Sequence, residues 1–215
     1  MTTILRIDSS SRPIAPKGSS IEGSFSRAIA DRIVARLTDL KTDTNIVGRD
    51  LIAEPISHIT DETIKGYYTP QEYLTAELRA ATAQSDELIN ELRDADAIII
   101  SAPIYNFSVP SALKAWIDQV VRIGHTFEYE NGQFNGLLPD RPTFLALSYG
   151  GAGYAPGGPM APLDFFRPYL TRLLNFIGLT STEVITVEAT TAPDAKAHLE
   201  RTFEQIDALI SRNAE

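Results

Sequence analysis

The stretch that decides the fold is residues 97–107, AIIISAPIYNF, near the middle of the 215-residue chain. Its start, Ala97 to Ile100, is too short and too uniformly apolar for a surface helix. Pro103 then restricts the residue before it to extended backbone. The pattern predicts a buried central strand that ends in a loop over residues 103–107. Strands buried on both faces are typical of parallel sheets covered by helices.

Short strands and amphipathic helices alternate on either side of this centre. Five strands connected by helices predict right-handed crossovers and a three-layer α/β sandwich with a parallel sheet. We predict one long helix from Thr69 to about Arg93, with Thr69 as its cap, and a connection without regular structure over residues 52–69. The other strands are predicted at 4–7, 44–51, 143–148 and 184–187, and the other helices from about 25, after Pro110, before Gly178 and over about 199–210.

Composition restricts the classes of function. No linker-like run divides the chain, so we predict a single domain over 1–215. The absence of cysteine excludes disulfides and thiolate chemistry, and any redox chemistry must therefore come from a cofactor. A net charge of -9 opposes binding to nucleic acid. The start resembles no secretory signal and no stretch suits a bilayer, so we expect a cytoplasmic protein without membrane contact.

Three loops follow the first, third and fourth predicted strands, whose carboxyl ends share one edge of the sheet. The first, from Ser9 to Ser26, is rich in Ser and Gly before a helix and suits a phosphate, although such residues also simply cap helices. The second, residues 103–107, offers aromatic walls and an amide to a heterocycle, or else core aromatics and a turn. The third, residues 148–151, has two glycines that allow close backbone approach, or form a plain turn.

In this order the loops resemble those of the FMN-dependent NADH-azoreductases, also described as NAD(P)H quinone oxidoreductases, over nearly the whole chain. The resemblance implies a flavodoxin-like sandwich with strand order 2-1-3-4-5 and helices on both faces. It implies FMN as cofactor, NADH or NADPH as donor, and ping-pong hydride transfer to a quinone or azo compound. The cofactor-binding residues that it implies are Ser9, Ser24, Phe25, Ser26, Pro103, Ile104, Tyr105, Asn106, Phe107, Ser148, Tyr149, Gly150 and Gly151.

The resemblance also carries a substrate pocket and a homodimer. The family places a tyrosine and a phenylalanine beside the substrate, often from the partner subunit, which makes Tyr129 and Phe176 candidates; both also suit ordinary packing. The chain departs from the family in having Ile104 for a methionine and Tyr149 for an arginine. The segments between Ser11 and Gly23 and over residues 152–162 are longer than the family pattern.

Other functions fit the residues less well. A flavodoxin-type electron carrier shares the fold and the acidity but lacks the Tyr-Asn-Phe loop. A response-regulator receiver needs an aspartate after strand three, where this chain has Ser101 and Pro103. Without a Gly-x-Ser-x-Gly turn a hydrolase is not indicated, and scattered carboxylates and histidines predict no metal site. No catalytic side chain is expected, because the flavin itself carries the reaction.

Overall fold

The computed structural model describes residues 1–13, 23–41 and 43–212. The predicted segment between Ser11 and Gly23 therefore lies outside the described residues over 14–22. The strands are β1 Thr2–Asp8, β2 Thr44–Asp50, β3 Ala97–Pro103, β4 Phe127–Glu130, β5 Gln133–Gly136, β6 Thr143–Ser148 and β7 Thr182–Val187. The helices are α1 Phe25–Asp39, α2 Asp61–Tyr68, α3 Ala76–Asp94, α4 Ser111–Val120, α5 Arg167–Phe176 and α6 Ala195–Arg212, with 3₁₀ turns at Gln71–Tyr73 and Ala161–Leu163.

Five strands form one parallel sheet in the order β2-β1-β3-β6-β7. This confirms the predicted five-stranded parallel sheet. The order along the sheet is the predicted one, and only the numbers shift, because β4 and β5 form a separate hairpin between the third and fourth sheet strands. In β3, Ile98 pairs with Thr143 of β6 and Ile100 with Ile7 of β1, so the stretch 97–103 lies at the centre.

The side chains of β3 alternate between two cores, one on each face of the sheet. Ile98 and Ile100 belong to a core formed with α3, α4 and α5, and this core includes Trp116. Ala97 and Ile99 belong to a second core formed with α1 and α6. Helices therefore cover both faces, which is why a strand whose only polar side chain is Ser101 is stable in this position.

Two predictions for residues 52–93 are wrong. Helix α2 lies inside the supposed connection, where Thr60 and Thr63 form a reciprocal capping box. Thr69 follows the end of α2 and does not begin the long helix; α3 begins after Thr75, whose side chain accepts the amide of Leu78. Thr60 followed by two acidic residues was a usable helix-start signal, but α2 is only 8 residues long and shows little periodicity.

The hairpin β4–β5 is a further difference from the sequence prediction. Its turn has two residues with positive φ, Asn131 at 53° and Gly132 at 80°. Asn-Gly is the sequence that favours this turn because both residues tolerate left-handed backbone. The sequence signal for the hairpin is thus present, although our prediction for this segment concerns only Tyr129. Within the described residues, no helix is both long and apolar enough to cross a membrane.

Candidate functional site

The ends of β1, β3 and β6 bring the three predicted loops to one edge of the sheet. Ser9 donates both its amide and its hydroxyl to the carbonyl oxygen of Ser101, each at 3.0 Å. Ile104 donates its amide to the carbonyl oxygen of Ser148 at 2.9 Å. The first loop is therefore hydrogen-bonded to β3, and the second loop is hydrogen-bonded to the end of β6.

The start of α1 presents donors suited to an anion. The Ser24 hydroxyl caps the helix by accepting the amide of Arg27 at 3.3 Å, and it lies 3.1 Å from the Ser26 hydroxyl. Within the described ranges, no protein group accepts the amides of Phe25 and Ser26. Two amides at a helix N-terminus that have no partner among the described residues, with two hydroxyls beside them, suit a phosphate. The Phe25 ring is buried in the core of α1 and α6, so only its backbone can contact a ligand.

Arg27, which the sequence prediction did not include, stabilises the first loop beside this helix start. Its guanidinium makes two hydrogen bonds with Asp50, at 2.7 and 2.8 Å, and donates to the carbonyl oxygen of Ser10 at 2.9 Å. The hydrogen bonds with Asp50 raise the pKa of Arg27, and they hold the pKa of Asp50 below its usual value. In the described part of the chain, the buried Nε of Arg27 has no hydrogen-bond partner. Burial of the Arg27 side chain identifies it as a structural residue, and the neighbouring sequence gives no sign of that burial.

The second loop is a tight turn over Tyr105–Ser108. The amides of Tyr105 and Ser108 donate to each other's carbonyl oxygens, both at 3.0 Å. Asn106 has a φ of 47° and Phe107 a φ of 70°. Asparagine tolerates this region, but for phenylalanine it costs on the order of 1–3 kcal/mol. A strained residue of this kind persists only where the surrounding structure holds it.

This turn exposes groups that fit a polar heterocycle. The side chains of Tyr105 and Phe107 are 38% and 43% exposed. Among the described residues, the amides of Asn106 and Phe107 and the side chain of Asn106 have no hydrogen-bond partner. The Tyr105 hydroxyl lies 2.7 Å from the hydroxyl of Ser11. Tyr105 thus joins the loop that suits a phosphate to the loop that suits a ring.

The third loop has a different role for each residue. The Tyr149 side chain is only 1% exposed and points inward, where its hydroxyl donates to Asp164 at 3.3 Å. Burial, and then the neighbouring Asp164 carboxylate, raise the pKa of Tyr149. Gly150 and Gly151 have no positive φ, and a Cβ at either would make ordinary contacts at 3.5–3.6 Å. The backbone conformation at Gly150 and Gly151 therefore does not require glycine. The absence of a side chain at these two positions leaves the backbone of the loop open to a ligand.

A cleft of about 870 Å³ opens beside the turn, between α4 and the segment that leads into α5. Asn106 and Phe165 form part of its wall, and Lys114 and Arg172 bring positive charge to it. The predicted long segment over residues 152–162 ends two residues before Asp164, which lines this cleft. The carboxylate of Glu188 accepts the amides of Gly153 and Tyr154 and so fixes the start of that segment.

Tyr129 and Phe176 do not lie with these loops in one chain. Phe134 of β5 stacks between them, with ring centroids 4.7 Å from Tyr129 and 5.4 Å from Phe176. Phe176 is the last residue of α5, and the chain then leads to the start of β7. The three aromatic rings therefore lie at the end of the sheet where the strands begin, opposite the edge that carries the three loops. The rings of Tyr129 and Phe134 are 55% and 61% exposed.

The donor set fits FMN by chemistry. A phosphate group would accept from the amides at the start of α1, and the polar edge of a flavin from the free groups of Asn106 and Phe107. Over residues 1–13, 23–41 and 43–212 no three His, Asp or Glu side chains cluster as a metal site would require.

Comparison with known proteins gives consistent matches along the chain. A family model described as a flavodoxin-like fold matches residues 3–210. The chain is 48% identical over 184 residues to a protein of Xanthobacter autotrophicus named FMN-dependent NADH:quinone oxidoreductase, covering 86% of this chain and 85% of the relative. A protein of the same name from Beijerinckia indica is 39% identical, with 90% and 91% covered. The crystal structure of an azoreductase from Bacillus anthracis superposes with a TM-score of 0.86 at 24% identity, covering 99% of this chain and 100% of the other, and shows the shared fold.

Proposed function

Since the chain belongs to the flavodoxin-like family that includes the FMN-dependent NADH:quinone oxidoreductases, we propose that it is an FMN-dependent oxidoreductase that uses NADH or NADPH to reduce quinones, azo compounds or both. The observation that carries this proposal is that two sets of donors, which have no partner among the described residues, lie at the carboxyl ends of the sheet strands. One set, at the start of α1, suits a phosphate, and the other, at Asn106 and Phe107, suits a ring. The hydroxyls of Tyr105 and Ser11 connect the two loops that carry these sets.

Bound FMN would supply hydride transfer between a nicotinamide donor and the acceptor, and the protein supplies binding and orientation. The hydroxyls of Ser24 and Ser26 and the amides beside them would hold the phosphate. Asn106 and the amide of Phe107 would donate to the polar edge of the ring, where such donors would stabilise the negative charge that develops on reduction. The exposed rings of Tyr105 and Phe107 supply apolar contact.

The other predicted residues take narrower roles in this proposal. The Ser9 hydroxyl already donates to Ser101, so Ser9 shapes the loop and can offer a ligand only its remaining acceptor capacity. Pro103 and Ile104 direct the chain from β3 into the turn, and Ser148 receives the amide of Ile104. The amide of Tyr149 donates to Val187, its carbonyl oxygen accepts from Thr190 and its side chain turns inward, so we assign it no direct contact with FMN. A single domain over 1–215 and a cytoplasmic location stay predictions of the sequence.

The names of the relatives favour a reductase over an electron carrier. We expect the purified protein to carry FMN, with flavin absorption in the visible range, and to oxidise NADH in the presence of a quinone. A flavodoxin-type carrier would bind FMN but would not turn over NADH. A colourless protein that takes up no added FMN would refute the proposal, and a coloured protein without NADH-dependent quinone reduction would support the carrier.

We further propose a homodimer in which the partner completes the substrate pocket. Tyr129 and Phe176 lie at the sheet edge opposite the flavin loops, so within one chain they cannot line the same pocket. A second copy that brings its exposed aromatic rings to the flavin edge would resolve this separation. Tyr129→Ser should then raise the KM for the quinone without changing FMN content, and sedimentation should give twice the monomer mass. A monomer with full activity would refute this assembly.

A further inference from the structure

The strained turn Tyr105–Ser108 is held from outside by the segment that precedes α5. Phe165 donates its amide to the carbonyl oxygen of Phe107 at 3.1 Å. This bond acts on the residue whose φ is 70°, the conformation that phenylalanine adopts least readily. The position of the Phe165 backbone therefore bears directly on the geometry of the turn.

Asp164 fixes the chain on both sides of Phe165. Its side chain is 1% exposed, and its Oδ1 accepts the amides of Phe166 at 3.1 Å and Arg167 at 3.0 Å. Its Oδ2 lies 3.3 Å from the guanidinium of Arg167, and its own amide donates to the carbonyl oxygen of Ala161. A buried carboxylate is stable only with such partners, so this arrangement resists displacement.

Tyr149 connects this carboxylate to the central sheet. Its hydroxyl donates to Asp164 Oδ2 at 3.3 Å, and its amide donates to the carbonyl oxygen of Val187 at 2.9 Å. The ring is packed between Tyr154 and Phe166, at centroid distances of 4.9 and 5.8 Å. The contacts thus run without interruption from β7 through Tyr149 and Asp164 to Phe165, and they end at the turn.

We propose that Tyr149 is a positioning residue for FMN: through Asp164 and the backbone of Phe165 it holds the Tyr105–Ser108 turn in its left-handed, ring-binding form. The resemblance implies an arginine at this position, and the tyrosine here faces inward to the carboxylate. The inference rests on the proposed function in so far as the turn binds the flavin ring. The order of the turn itself can be measured without any ligand.

The test replaces the hydroxyl alone, with Tyr149→Phe. Amide hydrogen exchange of Ser108 in ligand-free protein should become faster, because this amide donates within the turn to Tyr105. Exchange of Phe165, whose amide is shared between the carbonyl oxygens of Phe107 at 3.1 Å and Leu163 at 3.2 Å, should become faster as well. Affinity for FMN, from titration of flavin fluorescence, should fall by roughly three- to tenfold, since a hydrogen bond to a buried charge is lost but only part of its effect reaches the turn.

Tyr67→Phe is the matched control. Its hydroxyl donates to Gln119 Oε1 at 2.8 Å in another half-buried polar group, packed between α2 and α4. It should leave the exchange of Ser108 and Phe165 and the affinity for FMN unchanged. Equal acceleration in both variants would overturn the inference, because any lost internal hydroxyl would then loosen the turn. Unchanged exchange in Tyr149→Phe would overturn it whatever the affinity for FMN shows.

A second pair of variants tests the carboxylate. Asp164→Asn should accelerate exchange at Ser108 more than Tyr149→Phe does. Asp140→Asn serves as its control, because Asp140 accepts the amides of Thr180 and Ser181, each at 2.8 Å, at the opposite sheet edge. Acceleration by Asp164→Asn alone supports the chain of contacts, and no difference between the two overturns it. Failure of the wild type to bind FMN would refute the proposed function, while the exchange data would still decide the role of Tyr149.

Discussion

Ser24→Ala tests whether the start of α1 holds the FMN phosphate. The Ser24 hydroxyl accepts the amide of Arg27 at 3.3 Å and lies 3.1 Å from the Ser26 hydroxyl. Loss of a helix cap of this kind costs about 1 kcal/mol, which lowers the Tm of a chain of this size by roughly 2–4 °C. Loss of a hydrogen bond to a charged phosphate costs a further 1.5–3 kcal/mol, about 10- to 150-fold in affinity, but only when FMN is bound.

The two effects separate in a thermal melt with and without FMN. At a concentration 100 times its Kd, a ligand stabilises the folded state by about 2.7 kcal/mol. If Ser24→Ala weakens binding tenfold, the same FMN concentration stabilises the variant by only about 1.4 kcal/mol. The rise in Tm on adding FMN should therefore fall to about half of the wild-type rise or less.

Thr75→Ala is the matched control for this experiment. Thr75 caps α3 through the amide of Leu78 at 3.2 Å, with the same type of bond and at an exposed position. It should lose similar stability in the ligand-free protein and keep the full rise in Tm on adding FMN. If Ser24→Ala also keeps the full rise, the phosphate does not bind at the start of α1.

Other expected outcomes concern single interactions. Arg27 holds the pKa of Asp50 below its value in the unfolded chain. The pair therefore stabilises the fold above about pH 4, and this stabilisation is lost as the pH falls further. Asp50→Asn should reduce the loss of stability that urea unfolding measures between pH 7 and pH 3. Gly178→Ala should destabilise by at least about 2 kcal/mol, since φ is 107° and a Cβ would lie 2.3 Å from the nearest backbone oxygen. Gly48→Ala, with open space around it, should change stability by less than about 0.5 kcal/mol in the same assay. Phe107→Gly should stabilise the ligand-free protein by about 1 kcal/mol through relief of strain while weakening FMN binding, and a loss of stability would contradict the strain.

Local sequence was sufficient for the sheet and for where its loops emerge. The uniformly apolar run 97–100 and Pro103 specify a central strand and its end, because burial on both faces and a proline restrict the backbone within a few residues. The same logic placed β6 at its observed bounds, Thr143–Ser148. Signals of equal strength for α2 and for the β4–β5 hairpin lay in Thr60 and in Asn131-Gly132, but both elements are short and lack a clear period.

What only the tertiary structure decided is the direction and pairing of side chains. Tyr149 follows a strand and was expected at the flavin, yet its side chain turns inward to Asp164, a residue 15 positions later. Arg27 becomes a support for the first loop only because β2 brings Asp50 to it. Phe107 adopts a left-handed backbone that its own sequence disfavours. Strand and loop positions follow from local periodicity and turn chemistry, whereas partners that are distant in sequence meet only through the crossovers of the folded chain.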